Sequence, residues 1–293
     1  MMSGLASLEE ADAQNRLDVK TIGMSVKGKD IPLVTICDPN TSIESTKRLF
    51  VICRQHGNEP ASTEAMLKLI RDLTLDKSEE TADLLSKVSF FIVPMMNPDG
   101  ADRNDRRNAN GADLNRDWLM LSQPETICAQ TAIDLTVPDV IIDQHELSPR
   151  NRESDFIEVV GLTSGALPEI ATESKRMLDL VAGMLRTHYM TVETSQIEDQ
   201  HPARLAHRYF PIYYNKTTIL FETRQAGPRQ YQLNYRINLH IAGTMTVAKY
   251  LAGREEELVQ RIAEYDTRHK WIQLASRGKK PSKSIGKSAS KRR

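Results

Sequence analysis

The run VSFFIVPM, residues 88–95, is apolar almost throughout and shows no alternation of polar and apolar positions. A strand with one wet face alternates, whereas a continuous apolar strand is covered on both faces. This segment therefore commits the chain to a sheet held between two layers of helix. The surrounding pattern agrees. Strand-like runs at 48–54, 139–145 and 217–221 are separated by helix-period stretches at 60–74, 124–135 and 168–187, with Pro124 at a helix start. Residues 155–162 add a strand, and 18–37 alternate around Lys27-Gly28-Lys29-Asp30 as a β-hairpin. Further helical patterns lie near 229–252 and 254–274. Strands alternating with helices predict a three-layer α/β/α sandwich with a mixed sheet. No internal repeat is present, and 293 residues allow one large α/β domain or two small ones.

Three of the apolar runs stop at a residue able to bind a metal or move a proton. VICRQHGNE ends at His56, with Glu59 at the mouth of a helix opened by Pro60 and spaced by Ala65, Met66, Leu69, Ile70 and Leu73. DVIIDQH ends at His145, and Asp143 is placed to hydrogen-bond a ligand imidazole and set its tautomer. TILFE ends at Glu222. In open α/β sheets, ligands gather beyond the carboxyl ends of the strands. Two histidines and a carboxylate form the ligand set of a hydrolytic zinc site, whose fourth position is left to water. A base beside such a water must accept its proton, and apolar neighbours would raise the pKa of Glu222 toward that task. The plainer alternatives stay open at this point: His56 and Glu59 as a surface pair, Glu222 as the partner of Arg224.

The polar stretch 97–118 is too rich in Asn, Asp and Arg to be core. Within it, Arg106, Arg107, Asn108, Asn115 and Arg116 offer donors for developing negative charge and planar, bidentate partners for a carboxylate. A solvated charged loop would read the same way. The lack of interleaved aromatics and the interspersed Asp residues argue against nucleic acid. So does the charge balance: the formal net charge is zero, but residues 276–293 hold eight Lys or Arg and no acid. The first 275 residues thus have 31 basic against 39 acidic groups, net −8. The basic tail, with Gly, Pro and Ser between its charges, is expected to be disordered. Cys37, Cys53 and Cys128 are scattered and odd in number, which indicates neither a disulfide framework nor a cysteine–zinc site. No run is long and apolar enough to span a membrane, and the first residues do not read as a signal peptide. The sequence as it stands predicts a cytoplasmic protein, periplasmic or secreted if a leader is missing. It contains no motif that addresses oligomeric state.

HGNEP, NPDG, RRNANGADLNRDW, IIDQH and ILFETR, in that order, resemble the zinc metallocarboxypeptidases of the carboxypeptidase A type, particularly their bacterial branch. The resemblance runs from about residue 20 to 250. Carboxypeptidase A is itself the type example of a two-histidine, one-glutamate zinc site. The resemblance implies one zinc per chain held by His56, Glu59 and His145, with Glu222 as general base and acid. It implies Arg107 as the residue that polarises the scissile carbonyl, with Arg106 the alternative, and Asn115 and Arg116 as the grip on a terminal carboxylate. It also implies a mostly parallel sheet, a catalytic domain over 18–275, an N-terminal extension over 1–17, and a peptide or acyl-amino-acid substrate with a free carboxylate. Two other functions share these motifs: a deacylase of N-acyl amino acids, similar to succinylglutamate desuccinylase or aspartoacylase, and a catalytically silent binding relative. The family's substrate-contacting tyrosine has no clear match among Tyr209, Tyr213 and Tyr214. His201, Arg204, His207 and Arg208 in the same segment hint at an acidic or polar side-chain preference, or lie on the surface. His188, His240 and His269 are expected to be structural or solvated.

Overall fold

The computed structural model describes residues 1–147, 155–200, 203–225 and 232–276. In chain order the elements are α1 (Met2–Ala11), β1 (Leu17–Met24), β2 (Asp30–Ile36), β3 (Lys47–Cys53), α2 (Ala61–Leu75) and α3 (Glu79–Leu85). There follow β4 (Val88–Val93), α4 (Pro98–Arg103), α5 (Pro124–Thr136), β5 (Val140–Leu147) and β6 (Asp155–Val160). The order closes with α6 (Pro168–Thr187), β7 (Val192–Ile197), α7 (Ala206–Tyr213), β8 (Thr217–Arg224), α8 (Leu233–Leu251) and α9 (Glu255–Ser276).

The strands form one eight-stranded sheet in the order β1-β2-β4-β3-β5-β8-β6-β7. Its middle, from β4 through β3 and β5 to β8, is parallel; β1, β2 and β6 enter antiparallel to a neighbour. The sheet is thus mixed and mostly parallel, as expected. On β3, Leu49, Val51 and Cys53 join the core beneath α2, α6 and α8, while Phe50 and Ile52 join the opposite core with α5, α7 and Trp118. This two-sided burial is the physical content of the unbroken apolar runs. Helix α6 occupies 168–187 as predicted, since Pro168 is pre-set for the first turn and the apolar stripe below it is unbroken.

Other elements depart from the pattern. The polar stretch LDKSEE is not merely a break: Ser78 Oγ accepts a hydrogen bond from Thr81 N and starts α3. The first seventeen residues, set apart as an extension, carry α1, whose Leu5 is buried in the same core cluster as Leu17 and Val34. Strand β7 and helix α7 carry no strong signal in sequence, because β7 is an edge strand with mostly open positions and α7 contains Pro211. The basic tail beyond Ser276 lies outside the described residues. No helix among them is long and apolar enough to cross a membrane.

The topology places a site. From β3 the chain goes first to β4 on one side and then to β5 on the other, so a crevice opens between the carboxyl ends of β3 and β5. His56 follows β3 and His145 lies near the end of β5.

Candidate metal centre

The backbone leaving β3 turns sharply, with Arg54 at φ 55°, and passes through Gly57. A Cβ at position 57 would fall 2.0 Å from the Gly100 carbonyl carbon and 2.3 Å from Ala101 N. Only glycine allows the start of α4 to pack this closely. Asn97 locks the contact. Its side chain accepts from Gly100 N at 2.8 Å and donates to the Gln55 carbonyl at 3.2 Å. The segments HGNE and NPDG are thus one packed unit, and they hold His56 and Glu59 at the crevice.

Three buried side chains converge there. His56 Nδ1 is 2.8 Å from Glu59 Oε1, His145 Nδ1 is 2.9 Å from Glu59 Oε2, and the two Nδ1 atoms are 3.1 Å apart. The potential ligand atoms all lie within 4.8 Å of one another. The far nitrogen of each imidazole is held by a carboxylate: His56 Nε2 by Asp113 at 3.0 Å, His145 Nε2 by Asp143 at 2.9 Å. This arrangement fixes both rings and turns both Nδ1 atoms inward. Burial pushes Glu59 toward neutrality, but the two histidines outweigh it and bring its pKa down to about 2. Burial likewise opposes charge on His145, yet Asp143 and Glu59 raise its pKa well above the usual imidazole range. Two imidazole nitrogens in near contact, with a shared carboxylate, are a donor set that one divalent ion satisfies. The residues fit zinc.

Glu222 stands in register beside His145 on the neighbouring strand. Burial, reinforced by Glu59 and opposed by His145, pushes its pKa up to about 7. It lines a cleft of about 580 Å³ together with His56, Glu59, Arg106, Asn115 and Arg116. Asn115 is already engaged: its Nδ2 lies 3.1 Å from His145 Nε2, and its Oδ1 accepts from Ala206 N at 3.1 Å. Arg116, largely exposed, is the charged member of that pair at the cleft.

The structure separates the two adjacent arginines. Arg107, the residue expected to polarise the carbonyl, does not line the cleft. It is exposed, and its Nη1 donates to the Gly111 carbonyl at 2.9 Å. Arg106 reaches inward instead, with Nε 3.0 Å from Asp113 Oδ2 and Nη1 3.1 Å from His56 Nδ1. The placement of Arg107 is therefore corrected. Asp113 was not singled out in the sequence, although it lies inside the DLNR run; its signal was an acid among donors. Glu158, which also lines the cleft, was missed as well; its signal was a charge inside the otherwise apolar run FIEVV.

Tyr209 packs against Trp118 and Phe210, Tyr213 is exposed, and none of the three tyrosines lines the cleft. His207 does line it, and is buried rather than on the surface; Arg208 pairs with Asp199 at 2.6 Å. His201 lies outside the described residues. His240 is buried against Thr223, and His269 stacks on Tyr265, as structural residues do.

A mixed α/β sheet with two histidines and a glutamate at its topological switch defines a metal-binding α/β protein. Residues 4–182 match the sequence profile of zinc carboxypeptidases, and the chain belongs to that family. A probable carboxypeptidase 2 of Trichophyton verrucosum is 32% identical over 128 residues, covering 42% of this chain and 24% of that protein. Carboxypeptidase E of Caenorhabditis elegans is 36% identical over 115 residues, covering 33% and 24%. The matched stretch spans about a quarter of these relatives' length. Among solved structures, a metallo-carboxypeptidase from Burkholderia cenocepacia superposes with TM-score 0.70 at 21% identity, over 84% of this chain and 66% of that one. One from Pseudomonas aeruginosa, in complex with (2-guanidinoethylmercapto)succinic acid, gives 0.69 at 24% identity, over 89% and 68%. These likenesses extend the fold assignment to nearly the whole described chain.

Proposed function

We propose that this chain is a zinc-dependent hydrolase that removes the C-terminal residue of a peptide. The observation that carries the proposal is a single cleft lined by His56, Glu59, Glu222 and two arginines, with His145 buried against the cluster and in register with Glu222. His56, Glu59 and His145 would hold the zinc, which when bound supplies a Lewis acid and lowers the pKa of water to about 7. Asp113 and Asp143 keep the imidazoles in the ligating tautomer. Glu222, buried and near neutral in pKa, takes a proton from the attacking water and returns it to the leaving amine. Arg106 is placed to donate to the oxygen on which negative charge develops. Arg116, beside Asn115, offers a planar fork to the terminal carboxylate, so the bond cleaved is the last one.

Family membership favours peptides over N-acyl amino acids as substrates. The test is hydrolysis of N-blocked dipeptides against N-acyl amino acids, alongside metal analysis. One zinc per chain is expected, with dipeptide turnover that a chelator abolishes and that Glu222→Gln removes while zinc is retained. Turnover indifferent to the chelator or to Glu222→Gln would refute the proposal. Exclusive turnover of N-acyl amino acids would move the substrate to the deacylase class.

A further inference from the structure

Asn108 follows the two arginines in the chain and offers the same kind of donor, but its amide does not reach the cleft. It is 1% exposed and turned into the protein. Its Oδ1 accepts from Asn110 N at 3.1 Å and from Ala112 N at 2.9 Å, while its backbone N–H donates to the Ala112 carbonyl at 2.9 Å. Positions 108 and 112 are thereby held together. The chain comes back on itself, and Asp113 meets Arg106, Oδ2 to Nε at 3.0 Å. Arg107, outside this closure, turns away to the Gly111 carbonyl.

The closed loop is moored to the body of the protein by one carboxylate. Asn108 Nδ2 donates to Glu125 Oε2 at 3.0 Å and to Gln123 Oε1 at 2.9 Å. Glu125 is fully buried in the first turn of α5, and its Oε1 accepts from Val26 N, in the turn between β1 and β2, at 3.1 Å. The amino end of a helix favours a negative charge, but burying a carboxylate on neutral donors remains costly, and packing alone does not require it. We propose that Glu125 and Asn108 are positioning residues for the reaction: they fix the loop whose closure aims Arg106 at the developing oxyanion. The inference rests on the hydrolase proposed above, in which Arg106 meets that charge. Neither residue touches the substrate. Both act through the guanidinium.

The test reverses the polarity of one hydrogen bond. Asn108→Asp keeps the oxygen that accepts from Asn110 and Ala112, but sets a second carboxylate against Glu125. On the zinc-saturated protein with an N-blocked dipeptide, kcat should fall about ten- to a hundredfold, the cost of misplacing a group that meets the transition state, with KM within about threefold. Adding Glu125→Gln supplies an amide hydrogen to the new carboxylate and keeps an oxygen for Val26 N. The double variant should regain kcat to within about threefold of the unaltered protein. Glu125→Gln alone retains one of its two acceptor contacts and should lower kcat about three- to tenfold, which serves in place of Asn108→Asp if that variant does not fold. In an Arg106→Ala background, Asn108→Asp or Glu125→Gln should cost less than about twofold more, because residues acting through one group are not additive. Zinc should stay at one per chain throughout. Unchanged kcat in the single variants, no recovery in the double variant, full additivity with Arg106→Ala, or loss of zinc each overturns the inference and leaves the hydrolase standing. Failure of the unaltered protein to turn over any peptide overturns the hydrolase, and the inference with it.

Discussion

Replacing Arg106 and Arg107 one at a time separates two residues that neighbour each other in the chain but point to different places. Arg106 makes three contacts at the metal cluster, to Asp113 at 3.0 Å, toward His56 at 3.1 Å and to Glu59 at 3.5 Å, and its side chain is 42% exposed. Its ion pair with Asp113 is therefore worth at most about 1 kcal/mol of stability. Its value lies in the reaction: loss of one donor to a developing oxyanion costs about a hundred- to a thousandfold in kcat, or about 3–4 kcal/mol. Arg106→Ala should lose activity on that scale in kcat, with KM changed little and thermal stability nearly intact. Arg106→Lys should recover little, because an ammonium lacks the planar fork. Arg107→Ala removes an exposed hydrogen bond to Gly111, and kcat/KM should stay within about threefold. Steady-state kinetics with a blocked dipeptide, run beside zinc analysis, decide the matter. A larger loss for Arg107→Ala than for Arg106→Ala would refute the placement. Loss of zinc in Arg106→Ala would show that the residue acts by holding His56, not by meeting the substrate.

Asp113→Asn keeps the shape of the side chain that holds His56 Nε2 but removes its charge, so zinc affinity should fall about ten- to a hundredfold. Competition with a chromogenic chelator reads this, and unchanged affinity would remove Asp113 from the support of His56. Gly57→Ala would drive a methyl into the Gly100 backbone; at about 1–3 kcal/mol for overpacking, Tm should fall by roughly 2–12 °C. An unaltered Tm would mean that α4 moves freely and the packed unit is not one. Glu222 must be ionised to accept a proton, so kcat/KM should fall as pH drops through its pKa. That pKa is about 7 without an ion, and a bound dication lowers it, placing the acid limb at or below 7. A kcat/KM profile flat from about pH 4 to 8 would exclude Glu222 as the base.

The parts of this molecule legible in its sequence share a physical cause. His56, His145 and Glu222 each interrupt an apolar run near its end, where a buried strand reaches the sheet rim. A polar residue there is costly unless it has a partner, so it marks a site. Arg106 and Arg107 show where that logic stops. They lie in a loop with no periodicity, and the choice between them is made by Asp113, seven positions away from Arg106, which no local pattern connects to it. Glu158 was legible in principle as a charge within DFIEVV. Its place at the cleft depends on β6 lying beside β8, a pairing of residues more than sixty positions apart.

The motifs that seemed to be five separate signals are fewer in space. Gly57 of HGNE and Gly100 of NPDG touch backbone to backbone, and Asn97 joins the end of β3 to Gly100. Asn97 also reaches toward the Arg106 carbonyl at 3.5 Å, which ties the following loop to the same unit. From that loop Asp113 returns to His56, and Asn115 to His145. Gly57, Asn97, Gly100 and Asp113 are thus scaffolding for two imidazoles and one guanidinium. The glycines are present because backbone must approach backbone, and the asparagines because buried carbonyl and amide groups need partners. Chemistry and packing use the same short segments because a metal site tolerates little slack. A ligand set on independent loops would lose its geometry with each loop's motion.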